Sequence, residues 1–239
     1  MSRRFALIGH PVAGSLSPRM MAAAYQGRYR YDLLDFERFE DAWQAFVRDY
    51  DGINVTAPFK QDAFSRVDVL SPQARETGAV NLVVPCPEGY AGYNTDVDGV
   101  LLALQETGLS YADALVVGTG GAARAAAYAA RMLGCRVTVC GRSLEKALAL
   151  GYPAVSLEEA SALRPDVILY TLPGRAPVPP ALPFADAVVL EAEYRIPQLE
   201  GIGCRRYVSG RRWMLGQAAA GYRLFTGEDP DVEAMAAAL

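Results

Sequence analysis

Short apolar runs alternate with stretches of helical periodicity along most of the chain. Phe5 to Ile8 is an apolar run closed by Gly9-His10-Pro11 and predicts a strand. Ser17-Pro18 then opens a helix to about Gln26, with Ser17 as N-cap and Pro18 at the first helical position. Residues 31–36 read as a strand, and Phe39, Trp43, Phe46 and Val47 recur at a helical period over 39–50. Residues 52–56 predict the next strand, broken by Pro58, and residues 80–84 and 89–93 predict a hairpin. Strand and helix in alternation imply an α/β unit with a parallel sheet.

A helix over residues 96–107 ends at Gly108, a C-cap and hinge position. Beyond it, apolar strands fall near 115–117, 136–140, 166–170 and 187–191, with helices expected between them. Prolines from Pro173 to Pro183 mark a long loop. Residues 214–225 predict a long helix capped by Gly227, and residues 230–239 a terminal helix with Asp229, Asp231 and Glu233 near its start.

The first strand of the second half runs into Gly118-Thr119-Gly120-Gly121-Ala122-Ala123, a Gly-x-Gly-x-x-Ala turn leading to an alanine-rich helix. That order is the opening of a dinucleotide-binding fold. Gly118 allows the tight turn, Gly120 lets backbone approach a pyrophosphate, and Ala123 lets helix and strand pack closely. The unpaired N–H groups at the helix start then face the phosphates. At the end of the next strand an NAD site places an acid for the ribose hydroxyls. Here the chain reads Gly141-Arg142-Ser143-Leu144-Glu145-Lys146. A guanidinium at Arg142 can fork onto a 2′-phosphate, with Ser143 beside it and Lys146 a turn later. NADP is therefore the expected cofactor; the plain alternative is solvated charge at a helix start.

Composition narrows the class. With 239 residues, 51% hydrophobic and 21% charged, the chain suits one large or two modest globular domains. A net charge of −4 gives no general attraction for nucleic acid, and no run suggests membrane insertion. Cys86, Cys135, Cys140 and Cys204 lack Cys-x-x-Cys spacing, and one histidine argues against a metal centre. Met1-Ser2-Arg3-Arg4 leads directly into a strand without an apolar leader, so a cytoplasmic location is expected.

Four fragments place small polar groups at strand ends and helix starts: Ser15-Leu16-Ser17-Pro18, Asn54-Val55-Thr56-Ala57-Pro58-Phe59-Lys60, Ala79-Val80-Asn81 and Asn94-Thr95-Asp96. With the glycine turn and Gln217, they resemble the shikimate dehydrogenase family, in the family's motif order from Ile8 to about Pro230. The resemblance implies NADP-dependent, reversible reduction of 3-dehydroshikimate to shikimate, a step toward chorismate and the aromatic amino acids. It implies a substrate domain over residues 1–97, completed by 213–239, and a Rossmann-type NADP-binding domain over 98–212. The active site is expected in the cleft between them, in a monomer or homodimer acting on a small molecule.

The resemblance also assigns roles. Lys60 and Asp96 match the catalytic pair, and reduction of a ring ketone does need a proton donor for the developing alkoxide. Lys60 falls in a predicted first helical turn, a poor place for a cation beside the N-terminal dipole, whereas Asp96 would also serve as an ordinary N-cap. Ser15 and Ser17 match the hydroxyls that hold the substrate carboxylate, and Thr56, Asn81 and Gln217 match groups that bond the ring hydroxyls. Tyr194 matches a tyrosine near the substrate, with a core position as its alternative. Gly118, Thr119, Gly120, Gly121, Ala122, Arg142, Ser143 and Lys146 form the expected cofactor set.

Several positions depart from the family's pattern. Gly14 replaces the histidine of His-Ser-x-Ser, and Tyr170-Thr171-Leu172-Pro173-Gly174 replaces a polar Asn-Ala-Thr-Ser-x-Gly loop. Gly141 replaces the asparagine of Asn-Arg-Thr, and Trp213 stands where the family carries methionine. These changes are expected around the cofactor, while the substrate-facing polar set is complete. A quinate or other cyclic hydroxy-acid dehydrogenase using NAD, and a catalytically weak ligand-binding relative, are the competing readings.

Overall fold

Three short strands with the apolar character read above build the centre of the first sheet. In a computed structural model describing residues 3–239, β1 (Arg4–Gly9) pairs in parallel with β2 (Arg30–Asp35) and with β3 (Gly52–Val55). Met1 and Ser2, where the expectation of no leader begins, lie outside the described residues. Between these strands run α1 (Ser17–Tyr25) and α2 (Phe39–Asp49). Ala42, Trp43 and Phe46 on one side of α2 are buried with Ile8, Ile53 and Val55 of the sheet. Each large side chain so buried contributes about 1.5–3 kcal/mol.

After β3 come α3 (Lys60–Arg66), β4 (Val69–Leu70), α4 (Pro72–Thr77) and the expected hairpin, β5 (Leu82–Cys86) with β6 (Gly89–Tyr93). β5 runs antiparallel to β3, so the six-stranded order is β2-β1-β3-β5-β6-β4 and the sheet is mixed. The short β4 and the helix α4 carry too few periodic residues to be read from sequence.

The second sheet follows α5 (Asp96–Gln105) and is parallel throughout. Its strands are β7 (Asp113–Val117), β8 (Arg136–Cys140), β9 (Ala154–Val155), β10 (Val167–Tyr170), β11 (Val188–Glu191) and β12 (Arg206–Val208). They lie in the order β12-β11-β10-β7-β8-β9. Numbered from β7, that is the 3-2-1-4-5-6 order of a doubly wound dinucleotide-binding sheet, reversing between β7 and β10. α6 (Gly121–Met132) buries six alanines between this sheet and α5, and α7 (Leu144–Leu148) follows β8.

Of the helices expected between the later strands, the one between β10 and β11 is absent and the expected proline loop runs there; β12 was not expected, and no α-helix leads from β11 to it. Prolines at 173, 177, 179, 180, 183 and 197 remove backbone donors there and fix φ, so a helix cannot propagate. α8 (Gly210–Thr226) starts four residues before the expected Met214, and α9 (Val232–Ala237) is capped by Asp231, which accepts the Ala234 N–H at 2.9 Å. Compact units divide the chain into residues 1–95 with 217–239, and residues 96–216. Trp213 is buried in the core cluster of the second unit. Among the described residues no helix is long and apolar enough to cross a membrane.

Candidate active site

Polar residues of the first unit gather into hydrogen-bonded groups, Ser15 with Ser17 and Tyr31 through Asn54 and Asn81 to Thr95 and Gln217. Ser17 was expected as the N-cap of α1, but it is the first helical residue, and Ser15 Oγ accepts its N–H at 3.2 Å. Pro18, expected first, is thus the second helical residue, and Ser15 satisfies the first helical N–H from outside the helix. Ser15 Oγ–H donates to Ser17 Oγ at 3.1 Å. The Tyr31 hydroxyl, with the Ser17 side chain beside it, donates to Asn54 Oδ1 at 2.8 Å. Asn54 Nδ2 then donates to the Asn81 carbonyl at 3.3 Å. Burial pushes the Tyr31 phenol well above its ordinary range, so it stays a neutral donor.

Asn81 is the junction. Its Oδ1 accepts the Thr95 N–H at 2.8 Å and the Thr95 hydroxyl at 3.2 Å, and its Nδ2 donates to Gln217 Oε1 at 3.3 Å. Asn81 is therefore a buried amide that ties the approach to β5 to Thr95 and Gln217. Asn94 Nδ2 is fixed on the Thr77 hydroxyl at 2.8 Å. Thr56 sits half-buried at the end of β3, and the half-buried Lys60 opens α3, its carbonyl accepting the Val80 N–H at 3.0 Å. Asp96 is nearly buried and is the first residue of α5. Sequence reasoning quoted Asn54 and Thr95 only as motif members and missed Tyr31, which carries no local signal on a strand of alternating character.

In the second unit the glycine turn has the expected form. Gly118 adopts φ +123°, and a Cβ there would strike the Thr171 hydroxyl; its N–H bonds the Cys140 carbonyl at 2.8 Å. Thr119, Gly120 and Gly121 rise to the surface at the start of α6, and a Cβ on either glycine would meet nothing within 4 Å. Ala122 is half-buried and Ala123 fully buried behind them. Open space in front of unpaired helix N–H groups is the cradle a pyrophosphate needs.

After β8, Arg142 and Lys146 are exposed, and Ser143 caps α7 by accepting the Lys146 N–H at 3.3 Å, leaving its own hydroxyl proton to donate. The residue ending that strand region is Gly141, so no carboxylate occupies the position that would repel a 2′-phosphate. A cavity of about 410 Å³ opens beside Arg142, walled by Leu157, Leu172, Pro173 and the proline segment, a mostly apolar slot that fits a purine ring. Cation, hydroxyl, cradle and slot thus suit NADP. Tyr194 is half-buried in the loop after β11, with the Arg195 guanidinium 5.8 Å from its ring. Arg206 donates to the Thr107 carbonyl at 2.9 Å and Arg212 lies 3.5 Å from the Glu106 carboxylate.

Comparison with known proteins agrees with this geometry. Residues 7–83 match the shikimate dehydrogenase substrate binding domain, and residues 214–239 match the shikimate 5′-dehydrogenase C-terminal domain. A shikimate dehydrogenase (NADP(+)) of Thermus thermophilus is 35% identical, over 97% of this chain and 95% of its own. That of Halobacterium salinarum is 36% identical over 98% and 97%. Among solved structures, the T. thermophilus shikimate 5-dehydrogenase in complex with NADP(H) and shikimate superposes with TM-score 0.88 at 34% identity, covering 99% of this chain and 98% of that one. Quinate dehydrogenase from Corynebacterium glutamicum in complex with NAD gives 0.86 at 27%, covering 99% and 97%. At this identity over nearly the full length of its relatives, with motifs and strand order in agreement, the chain belongs to the shikimate dehydrogenase family.

Proposed function

We propose that this protein reduces 3-dehydroshikimate to shikimate, reversibly, with NADPH. The observation that carries the reading is the polar set Ser15, Ser17, Tyr31, Asn54, Asn81 and Gln217 in a protein whose second sheet presents Arg142, rather than an acid, at the turn after β8. The family's curated NADP(+) relatives support the same conclusion.

NADPH, when bound, supplies the hydride for the ring ketone. Lys60 supplies the proton to the alkoxide that develops, and its charge stabilises that oxygen meanwhile. Asp96 shares the proton with Lys60. Ser15 and Ser17 bind the substrate carboxylate at the start of α1, where the dipole favours an anion. Thr56, Asn81 and Gln217 bond the ring hydroxyls, Tyr194 lies near the substrate, and the Asn81 network holds Asn81 and Gln217 in place before substrate arrives. Gly118 to Ala122 hold the pyrophosphate, and Arg142, Ser143 and Lys146 hold the 2′-phosphate. We infer a cytoplasmic setting, supported by four cysteines that are all free.

Steady-state assays across shikimate, quinate, NADP and NAD test the reading directly. The highest kcat/KM is expected for shikimate with NADP; quinate with NAD in first place would assign the chain to the other activity. Lys60→Ala is expected to lower kcat roughly 10²–10⁴-fold while shikimate still binds. Asp96→Asn should be comparably damaging, and the double variant much less than multiplicatively worse if the two share one task. Turnover of Lys60→Ala within a few-fold of wild type would defeat the proton-transfer role.

A further inference from the structure

The loop that carries Ser15 is fastened by one acidic side chain on the neighbouring strand. β1 and β2 end in register, Gly9 opposite Asp35, and β3 runs parallel on the other side of β1. The carboxyl ends of parallel strands are where ligands gather in open α/β sheets. From Gly9 the chain turns through residues 10–16 into α1. Asp35 reaches across that turn with both oxygens: Oδ1 lies 2.7 Å from His10 Nδ1, and Oδ2 accepts the Val12 N–H at 3.1 Å. These two contacts hold the carboxyl below its ordinary range, so it is ionised at neutral pH and can only accept. His10 therefore keeps a proton on Nδ1.

The tether leads on to the serines. Val12 is buried; with its N–H on Asp35, it offers its carbonyl to the Ser15 N–H at 2.9 Å. Ser15 Oγ then accepts the Ser17 N–H at 3.2 Å and donates to Ser17 Oγ at 3.1 Å. At the root of the loop the His10 N–H donates to the Ala57 carbonyl at 3.1 Å. Gly9 is wedged there, since a Cβ would strike the Thr56 side chain. Between Val12 and Ser15 stand the exposed Ala13 and Gly14, and Gly14, where the family carries histidine, adds backbone freedom. A loop with that freedom in its middle takes its position from its fastened points, and the Asp35–Val12 bond is the one that leads into Ser15.

We propose that Asp35 is a positioning residue for substrate binding: by holding His10 and Val12 it sets the 10–16 loop so that the Ser15 and Ser17 hydroxyls meet the substrate carboxylate. The proposal rests on the reading that those two serines bind that carboxylate. Asp35 is itself an anion and would repel the substrate's, so it acts through the loop and not by contact.

The test is steady-state kinetics with shikimate and NADP, alongside titration of each. Asp35 is exposed, so its variants are expected to fold. For Asp35→Ala, the KM and Kd for shikimate should rise roughly tenfold, the share that a hydrogen bond to a charged group carries. The saturated kcat should stay within about twofold, because a carboxylate that takes no part in hydride transfer is held equally in ground and transition states. NADP binding should also stay within about twofold, since the residues assigned to it lie in the other compact unit. Asp35→Asn keeps an oxygen for the Val12 N–H and can donate to the other tautomer of His10, so it should recover most of the loss. In a Ser15→Ala background, Asp35→Ala should cost less than about threefold more, because the two act on one contact. Native shikimate affinity in Asp35→Ala would overturn the proposal, as would equal weakening of NADP or an undiminished loss in the Ser15→Ala background. A wild-type chain that binds no shikimate would instead refute the substrate reading beneath it.

Discussion

Arg142 is the residue on which cofactor choice turns. Its guanidinium is exposed after β8, a capping serine and a second cation stand within the next turn, and the preceding residue is glycine where an acid would select NAD. Removing it costs one charge-assisted phosphate contact, about 1.5–3 kcal/mol. Arg142→Ala should therefore raise the Michaelis constant for NADP strongly and that for NAD little; equal losses with both would take Arg142 off the phosphate. Ser15 offers a second single-residue test. Its hydroxyl accepts the Ser17 N–H and donates to Ser17 Oγ. Ser15→Ala should weaken shikimate in titrations and leave NADP nearly unchanged, and undiminished shikimate affinity in a folded variant would remove the assignment. The capping role of Ser15 was not legible beforehand, because Ser-x-Ser-Pro offers two hydroxyls and only the backbone at Leu16 decides which one lies outside the helix.

Elements with a strong period were legible and short ones were not. α2 and α6 announce themselves through apolar spacing, and the four main strands of the second sheet through buried runs. β4, β9 and β12 have two or three residues each and carry no periodic signal; neighbours place them. The hidden polar network fails to show for a different reason. Hydrogen bonds such as Tyr31 to Asn54 join residues far apart in sequence, and nothing local marks them. α6 gives the element-scale prediction. Ala123, the third small position of the turn motif, is fully buried where helix and sheet meet, so Ala123→Val overpacks the contact. A loss of about 1–3 kcal/mol is expected in denaturant unfolding, together with weaker NADP binding as the turn is displaced. Wild-type stability in that variant would show that the helix has room to retreat.

At the scale of the whole molecule, each compact unit carries its own sheet and core clusters, and each also carries carboxylates held below their ordinary range. In the first unit Asp35 is lowered by the His10 side chain and the Val12 N–H, and Asp32 by Arg30, Arg4 and Tyr50, which outweigh the opposing effect of burial. In the second, Asp113 is lowered by Arg136, and Glu159 by Ser156. Glu193 is pushed up by burial but lowered overall by the backbone donors of Arg195, Ile196 and Gly174. The sign of the consequence follows from linkage. A carboxylate whose folded pKa is depressed binds fewer protons when folded than when unfolded, so it adds stability above its unfolded pKa, about 4. That contribution drains away as pH falls through the folded value. No such loss arises from these groups between pH 5 and 8. Thermal melts should therefore give a flat midpoint across that range and a decline that begins near pH 4 and steepens below it. High salt should soften the part carried by exposed pairs such as Asp113–Arg136 more than the part carried by backbone donors to Glu193. Asp113→Asn should blunt the acid decline without touching turnover, because its partner Arg136 lies at the start of β8, the strand end opposite Arg142. A midpoint that holds constant to pH 3 would mean that these carboxylates keep the same partners in the unfolded chain.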